Sequence, residues 1–271
     1  MTEFLRRELA TISLCWRLER RDGVTLGFTT HDADLGIGGL IYQAAPGMLP
    51  SSITRSDGFD LDTLDVEGAL TSDAITGADL KAGRWDGAAV FVFMVDWENP
   101  AGETLPIARG ELGEVSIKGD AFEAELRGPT AALDRPATEQ TSPECRARLG
   151  DGRCRVDLAP LTRITRIVAI MSDEEIEVDA TAPDDAWRYG RLRWLTGANS
   201  GLESGIAGST GGTVSLRDPP AEAAASGDLV ELVEGCDRRL ATCVSRFGNA
   251  VNFRGEPYLP GMDLLTRYPG A

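Results

Sequence analysis

Five cysteines carry most of the reactive side-chain chemistry in this 271-residue chain: Cys15, Cys145, Cys154, Cys236 and Cys243. Four of them form two local pairs, with eight residues between Cys145 and Cys154 and six between Cys236 and Cys243. Thiolates are soft metal ligands, and structural disulfides are rare in a chain kept in the cytoplasm. Four paired cysteines therefore point to an all-thiolate metal site or to unrelated buried thiols. Cys15, flanked by Leu14 and Trp16 in an apolar run, reads as a thiol packed like a small hydrophobe.

Spacing bears on what the cysteines could hold. Asp237 to Gly248 is expected to be a helix with Cys236, Leu240, Cys243 and Phe247 along one stripe. Seven helical residues separate two α-carbons by about 10.5 Å, beyond the ~7 Å reach of a disulfide. One tetrahedral zinc, with bonds of ~2.3 Å, is hard to reach from such a pair. A cluster of several irons is larger and binds its thiolates through different atoms. Seven arginines, at 146, 148, 153, 155, 238, 239 and 246, lie within three residues of these cysteines and are expected to stabilise an anionic core and lower the thiol pKa values. The plainer reading is an amphipathic helix with an apolar face and an arginine-rich outer face.

Other chemistry has little support. His31 is the only histidine, in Gly27-Phe-Thr-Thr-His-Asp-Ala-Asp-Leu35, and reads as a turn residue bonded to Asp32 or Asp34. No Gly-x-Ser-x-Gly, Walker loop or Gly-x-Gly-x-x-Gly is present. Asp173-Glu-Glu175 reads as a solvated turn, and the glycines at 205, 208, 211 and 212 as tight turns.

The elements that must position the cysteines are mostly strands. Leu9–Leu18, Val24–Thr29, Leu40–Ala44, Leu61–Ala69, Ala88–Trp97, Pro106–Leu112 and Ala121–Leu126 are short apolar or alternating runs. They are separated by turn pairs such as Asp22-Gly23, Asp57-Gly58, Asp86-Gly87 and Gly119-Asp120. Within this first group a helix is expected only over Ser72–Ala82. A proline-bearing connector, Arg127–Asp157, precedes a second group: Ile164–Met171, Glu174–Val178, Arg191–Thr196, Thr213–Leu216 and Leu229–Val233. Strands at intervals of roughly ten residues suggest a sandwich or barrel.

With 43 acidic and 27 basic side chains the formal charge is -16, which disfavours adhesion to nucleic acid. Only Lys81 and Lys118 among the basic residues are lysines, a bias that either interfacial ion pairs or a GC-rich coding sequence would produce. No apolar run approaches the ~20 residues of a membrane-spanning helix, and Met1-Thr-Glu-Phe-Leu-Arg-Arg7 lacks the order of a secretory signal.

The motif Gly235-Cys-Asp-Arg-Arg-Leu-Ala-Thr-Cys243, with Arg246-Phe-Gly-Asn249, Asn252-Phe-Arg-Gly-Glu-Pro257 and Pro260-Gly-Met-Asp263, resembles the carboxy-terminal domain of phage minor tail proteins. The nearest group is the baseplate hub proteins of gene transfer agents and siphophage-like tails, related to tail-tip protein L of lambda-like phages. The stretch Gly27–Leu35 is similar to the same family. The resemblance implies a mainly β structural protein: a β-barrel or sandwich hub domain over 1–160 and a smaller β-rich domain over 161–271 ending in a short helix, joined by a metal-cluster-binding region. It implies a 4Fe-4S cluster on Cys145, Cys154, Cys236 and Cys243, tying the second β group to the first. It also implies no enzymatic activity and assembly, in the bacterial cytoplasm, into the tail tip or baseplate of a virion. The expected partners are a distal tail protein ring, a central tail-tip or fibre (megatron-like) protein, the tape measure protein and further copies in a trimer, with DNA passing through an acidic channel without specific binding. A cytoplasmic iron-sulfur or zinc enzyme using the cysteines for redox chemistry is the alternative. A carbohydrate-binding module is less favoured, because Trp16, Trp85, Trp97, Trp187 and Trp194 are scattered along the chain as core or turn anchors.

Overall fold

The structure, a computed structural model, describes residues 11–44, 49–50, 63–69, 75–118, 121–128 and 138–259. The turns at Asp57-Gly58 and Gly119-Asp120, the prolines Pro129 and Pro136 and the motif Pro260–Asp263 lie outside the described residues, as do the first residues of the runs expected from Leu9, Leu61 and Ser72. The chain divides into two compact units, Met1–Ala137 and Thr138–Ala271.

The first unit is built on one nine-stranded sheet. In chain order its strands are β1 (Ile12–Glu19), β2 (Thr25–Thr29), β3 (Leu35–Ile37), β4 (Leu40–Ala44), β5 (Leu49–Pro50), β6 (Thr63–Ala69), β7 (Ala89–Asp96), β8 (Leu105–Lys118) and β9 (Ala121–Arg127). They lie in the order β3-β4-β2-β1-β7-β8-β9-β6-β5. Alternation sends Trp16 and Leu18 of β1 and Val90 and Val92 of β7 to one face, where they pack with Ile75, Leu80 and Trp85. The opposite face collects Cys15, Leu35, Tyr42 and Val95, with Phe93 against them. Helix α1 spans only Gly77–Lys81: the Thr76 hydroxyl accepts the Asp79 N–H and caps it, and Gly83 (φ +72°) follows its last turn.

The second unit contains a closed barrel, β10-β11-β13-β12-β14. Its strands are β10 (Thr162–Ile170), β11 (Glu175–Ala182), β12 (Arg191–Trp194), β13 (Glu203–Leu216) and β14 (Leu229–Val233). Trp187, Leu192, Trp194, Ile206, Val214, Val230 and Leu232 fill it, all at most 1% exposed. The glycines expected to be tight turns lie inside β13, which at 14 residues is much longer than the Thr213–Leu216 run expected from sequence. They let one strand serve two neighbours. Glu203–Gly205 pairs with β12 and Gly211–Ser215 with β11, and between them Gly211 turns through φ +59°. A Cβ on Gly212 would meet the Val178 carbonyl at 3.0 Å, so the bend needs a residue without a side chain.

Closure pairs β10 with β14 in antiparallel register, Thr162 opposite Val233. The chain before the barrel and the chain after it therefore leave from adjacent strands at the same end. Trimming the side chain of Leu192, which is 0% exposed, tests how far this core sustains the unit: Leu192→Ala is expected to lower unfolding free energy by about 2–5 kcal/mol in urea denaturation followed by tryptophan fluorescence.

Candidate metal centre

The segment leaving β14 passes against the barrel rim at Gly235, where any Cβ would fall 1.9 Å from the Arg188 carbonyl. Cys236 follows immediately. Arg238 then takes a left-handed conformation, φ +62°, and Asp237 accepts hydrogen bonds from the Arg239 N–H at 3.0 Å and the Thr242 hydroxyl at 2.9 Å. Helix α2 consequently begins at Leu240 and ends at Ser245. The expected helix over 237–248 is thus shortened, and Cys236 stands in the turn before it rather than on its stripe. The separation computed for a straight helix does not apply to Cys236 and Cys243.

The other two cysteines come from the segment preceding the barrel. The Cys145 N–H donates to the Arg238 carbonyl at 2.8 Å, and the Arg146 N–H to the Arg254 carbonyl at 3.0 Å. Cys154 closes a turn organised by Asp151, whose carboxylate accepts the backbone N–H groups of Arg148, Arg153 and Cys154 at 2.7–2.9 Å. Arg155 follows at φ +61°. Left-handed non-glycine residues are strained, and here two of them lie within two residues of Cys154 and Cys236.

Donors converge on the sulfurs. The Arg254 N–H lies 3.3 Å from Cys145 Sγ, the Arg238 N–H 3.4 Å from Cys236 Sγ, and Asn249 Nδ2 3.6 Å from Cys154 Sγ while donating to the Cys154 carbonyl at 2.7 Å. Burial pushes the Cys236 thiol above the ordinary range; the Arg238 N–H offsets part of this, and Asp237, Cys145 and Cys154 add to it. Burial likewise raises Cys243, reinforced by Cys236, Cys145 and Cys154. All four cysteines therefore share one electrostatic neighbourhood, and none is in a disulfide. Among the described residues no three His, Cys, Asp or Glu side chains form a group that could hold a single metal ion.

Two expectations need correction. Thiols 236 and 243 are raised, not lowered, because burial dominates. Arg146 grips Glu256 through both terminal nitrogens at 2.6 and 2.8 Å and reaches Glu139 at 3.0 Å; Arg153 also pairs with Glu139; Arg246 donates to the Ala186 carbonyl at 2.7 Å and pairs with Glu234. These guanidiniums clamp chain segments. Secondly, all four cysteines belong to the second unit, so a group held by them would join segments of that unit.

Sequence reasoning missed Asn249, Asp151 and Glu256 as organisers. The Asn252-Phe-Arg-Gly-Glu-Pro257 motif held the signal for the last: a Cβ on Gly255 would lie 2.6 Å from the Glu144 carbonyl, so that strand of chain must pass with no side chain. His31 is a turn residue whose Nδ1 accepts the Ala33 N–H at 3.0 Å and lies 3.3 Å from Asp32, with its ring 5.1 Å from that of Trp97. Cys15 is fully buried beside Thr29.

Residues 1–157 match the family model described as baseplate hub protein, N-terminal attachment domain. The chain belongs to this baseplate hub family. Residues 185–263 match a second model, described as phage conserved hypothetical protein BR0599. The hub chain is also similar to a chain in the solved virion of a native gene transfer agent particle, with 39% identity and a TM-score of 0.86 over 98% of this chain and 94% of that one. No curated protein matches the sequence. The hub is a virion protein of the tail baseplate. Its cysteine pairs fall in different matched regions, 145 and 154 in the first, 236 and 243 in the second.

The Arg146 clamp predicts a pH response. Hydrogen bonds from Arg146, and secondarily from the Ser142 N–H, hold the Glu256 carboxyl down to about 2. A depressed folded pKa stabilises the clamp above the ordinary carboxylate range, about 4.3, and that contribution is lost as pH falls from there to about 2. Glu256→Gln is expected to raise hydrogen exchange at the Ser142 amide at neutral pH, and the difference from the unmodified hub should vanish below about pH 2.

Proposed function

We propose that this hub is a non-enzymatic structural part of the tail tip whose cysteines 145, 154, 236 and 243 hold a 4Fe-4S cluster. The observation that carries the reading is the gathering of four thiols, from two segments far apart in sequence, with backbone and amide N–H groups aimed at three of the sulfurs. The donor set fits such a group. The Cys236 and Cys243 thiols, raised by burial, stay protonated unless cationic iron is present to ionise them, and N–H donors to sulfur are a recurrent means of stabilising a thiolate-bound cluster.

When bound, the cluster supplies iron–thiolate crosslinks and no open position for a substrate. The protein's own residues do the rest. Asp151, Asn249 and the Gly235 crossing fix the chain directions, while Arg146 and Arg246 lash the flanking segments to Glu256 and to the barrel rim. The crosslink joins the chain before the barrel to the chain after it, so binding free energy becomes folding free energy of the second unit. In the assembled tail the hub forms a threefold ring between a distal tail protein ring and a central tip or fibre protein, near the tape measure protein. Its charge of -16 lets DNA slide past without adhering.

Anaerobic purification tests the reading. About four irons and four sulfides per chain, with visible absorption, are expected. Single Cys→Ser changes at the four positions should bleach the protein and lower the melting temperature by roughly 10 °C, while Cys15→Ser keeps the colour. Colourless anaerobic particles with four alkylatable thiols at these positions would refute it.

A further inference from the structure

The first unit carries a cleft of about 660 Å³ that neither the hub reading nor the cysteine site uses. Its floor is one cross-strand row. Arg17 of β1 stands opposite Gly27 on one side and Phe91 of β7 on the other, and Phe91 stands opposite Arg109 of β8. Gly27 leaves room for the Tyr42 ring, which a Cβ there would meet at 2.9 Å. The walls are apolar: Ile37 and Leu40 from the β3–β4 hairpin, whose Gly38-Gly39 turn runs at φ +58° and +86°, and Pro106 from β8. A register shift in the β7–β8 pairing lies between Val92 and Phe93, so the cleft sits at a β-bulge, a device that re-aims side chains beside binding sites.

The charged side chains that line the cleft, Arg17 and Arg109, are both cationic. The Arg17 guanidinium lies 4.4 Å from the Phe91 ring centroid, and its Nε forms an ion pair with Glu19 Oε1 at 2.9 Å. Arg109 is exposed and has no ion pair among the described residues. Two guanidiniums thus flank one aromatic ring, two strand spacings or about 9.6 Å apart at their roots. A guanidinium recognises carboxylates, and an aromatic floor between apolar walls takes an apolar side chain. In a chain of charge -16, this cationic cleft is complementary to an acidic ligand.

We propose that the cleft is the docking site for a short acidic segment of a neighbouring tail protein, its carboxylates on Arg17 and Arg109 and an apolar side chain between them on Phe91. The residues belong to the region matched as an attachment domain, which is why the occupant is another protein of the particle. Only the partner's identity rests on the hub reading.

Two measurements decide it. Fluorescence anisotropy of the full chain with a labelled Asp-Leu-Asp-Phe-Asp peptide is expected to show binding that weakens about tenfold in Arg109→Glu and falls with added salt, with no binding by the Lys-Leu-Lys-Phe-Lys counterpart. Equal binding by Arg109→Glu, equal binding of the lysine peptide, or no binding would overturn the proposal. Circular dichroism confirms that the exposed substitution leaves the fold intact. In assembled particles, a photo-crosslinking residue replacing Leu40 should capture an acidic segment of another tail protein, identified by mass spectrometry. Capture of a second hub copy or of DNA, or no adduct from incorporated hub, would refute the cleft while leaving the hub reading standing. Failure of the unmodified hub to enter particles would refute the hub reading instead.

Discussion

The pairing of Thr162 with Val233 closes the barrel and brings together two stretches of chain that are remote in sequence. A loop of that length has a large closure entropy, and an isolated pair of cysteine segments would have nothing to offset it. The barrel core offsets it: Trp187, Leu192, Trp194 and their neighbours bury apolar surface whether or not the cysteines are liganded. The thiols meet because the strands behind them already meet.

What surrounds the sulfurs is mainly backbone. Arg238 and Arg254 contribute peptide N–H groups, and the Asp151 carboxylate, by accepting three backbone N–H groups, holds the Cys154 turn. The guanidiniums of Arg146 and Arg246 are turned to carboxylates and carbonyls on other segments. These two arginines keep the loops in position.

Most strands were legible because a short apolar or alternating run is a local property, as in the continuous apolar run of β7. Strand β13 was not, because glycine marks turns and bent barrel strands alike, and only the neighbour that a Cβ would strike separates the two. The four cysteines were legible by type and pairing. The start of α2 was not, since a left-handed arginine at 238 has no sequence signature, and neither was the Arg146–Glu256 clamp, whose partners are 110 residues apart. Arginines close to cysteines in sequence looked like their counter-charges; in space Arg146, Arg153 and Arg246 reach for carboxylates.

The two cysteine pairs fall in regions matched by two different family models. Tail genes that trade their front and back portions by recombination would then split the quartet at every crossover between Cys154 and Cys236. A mosaic hub keeps all four cysteines only when both parental halves already possess their pair.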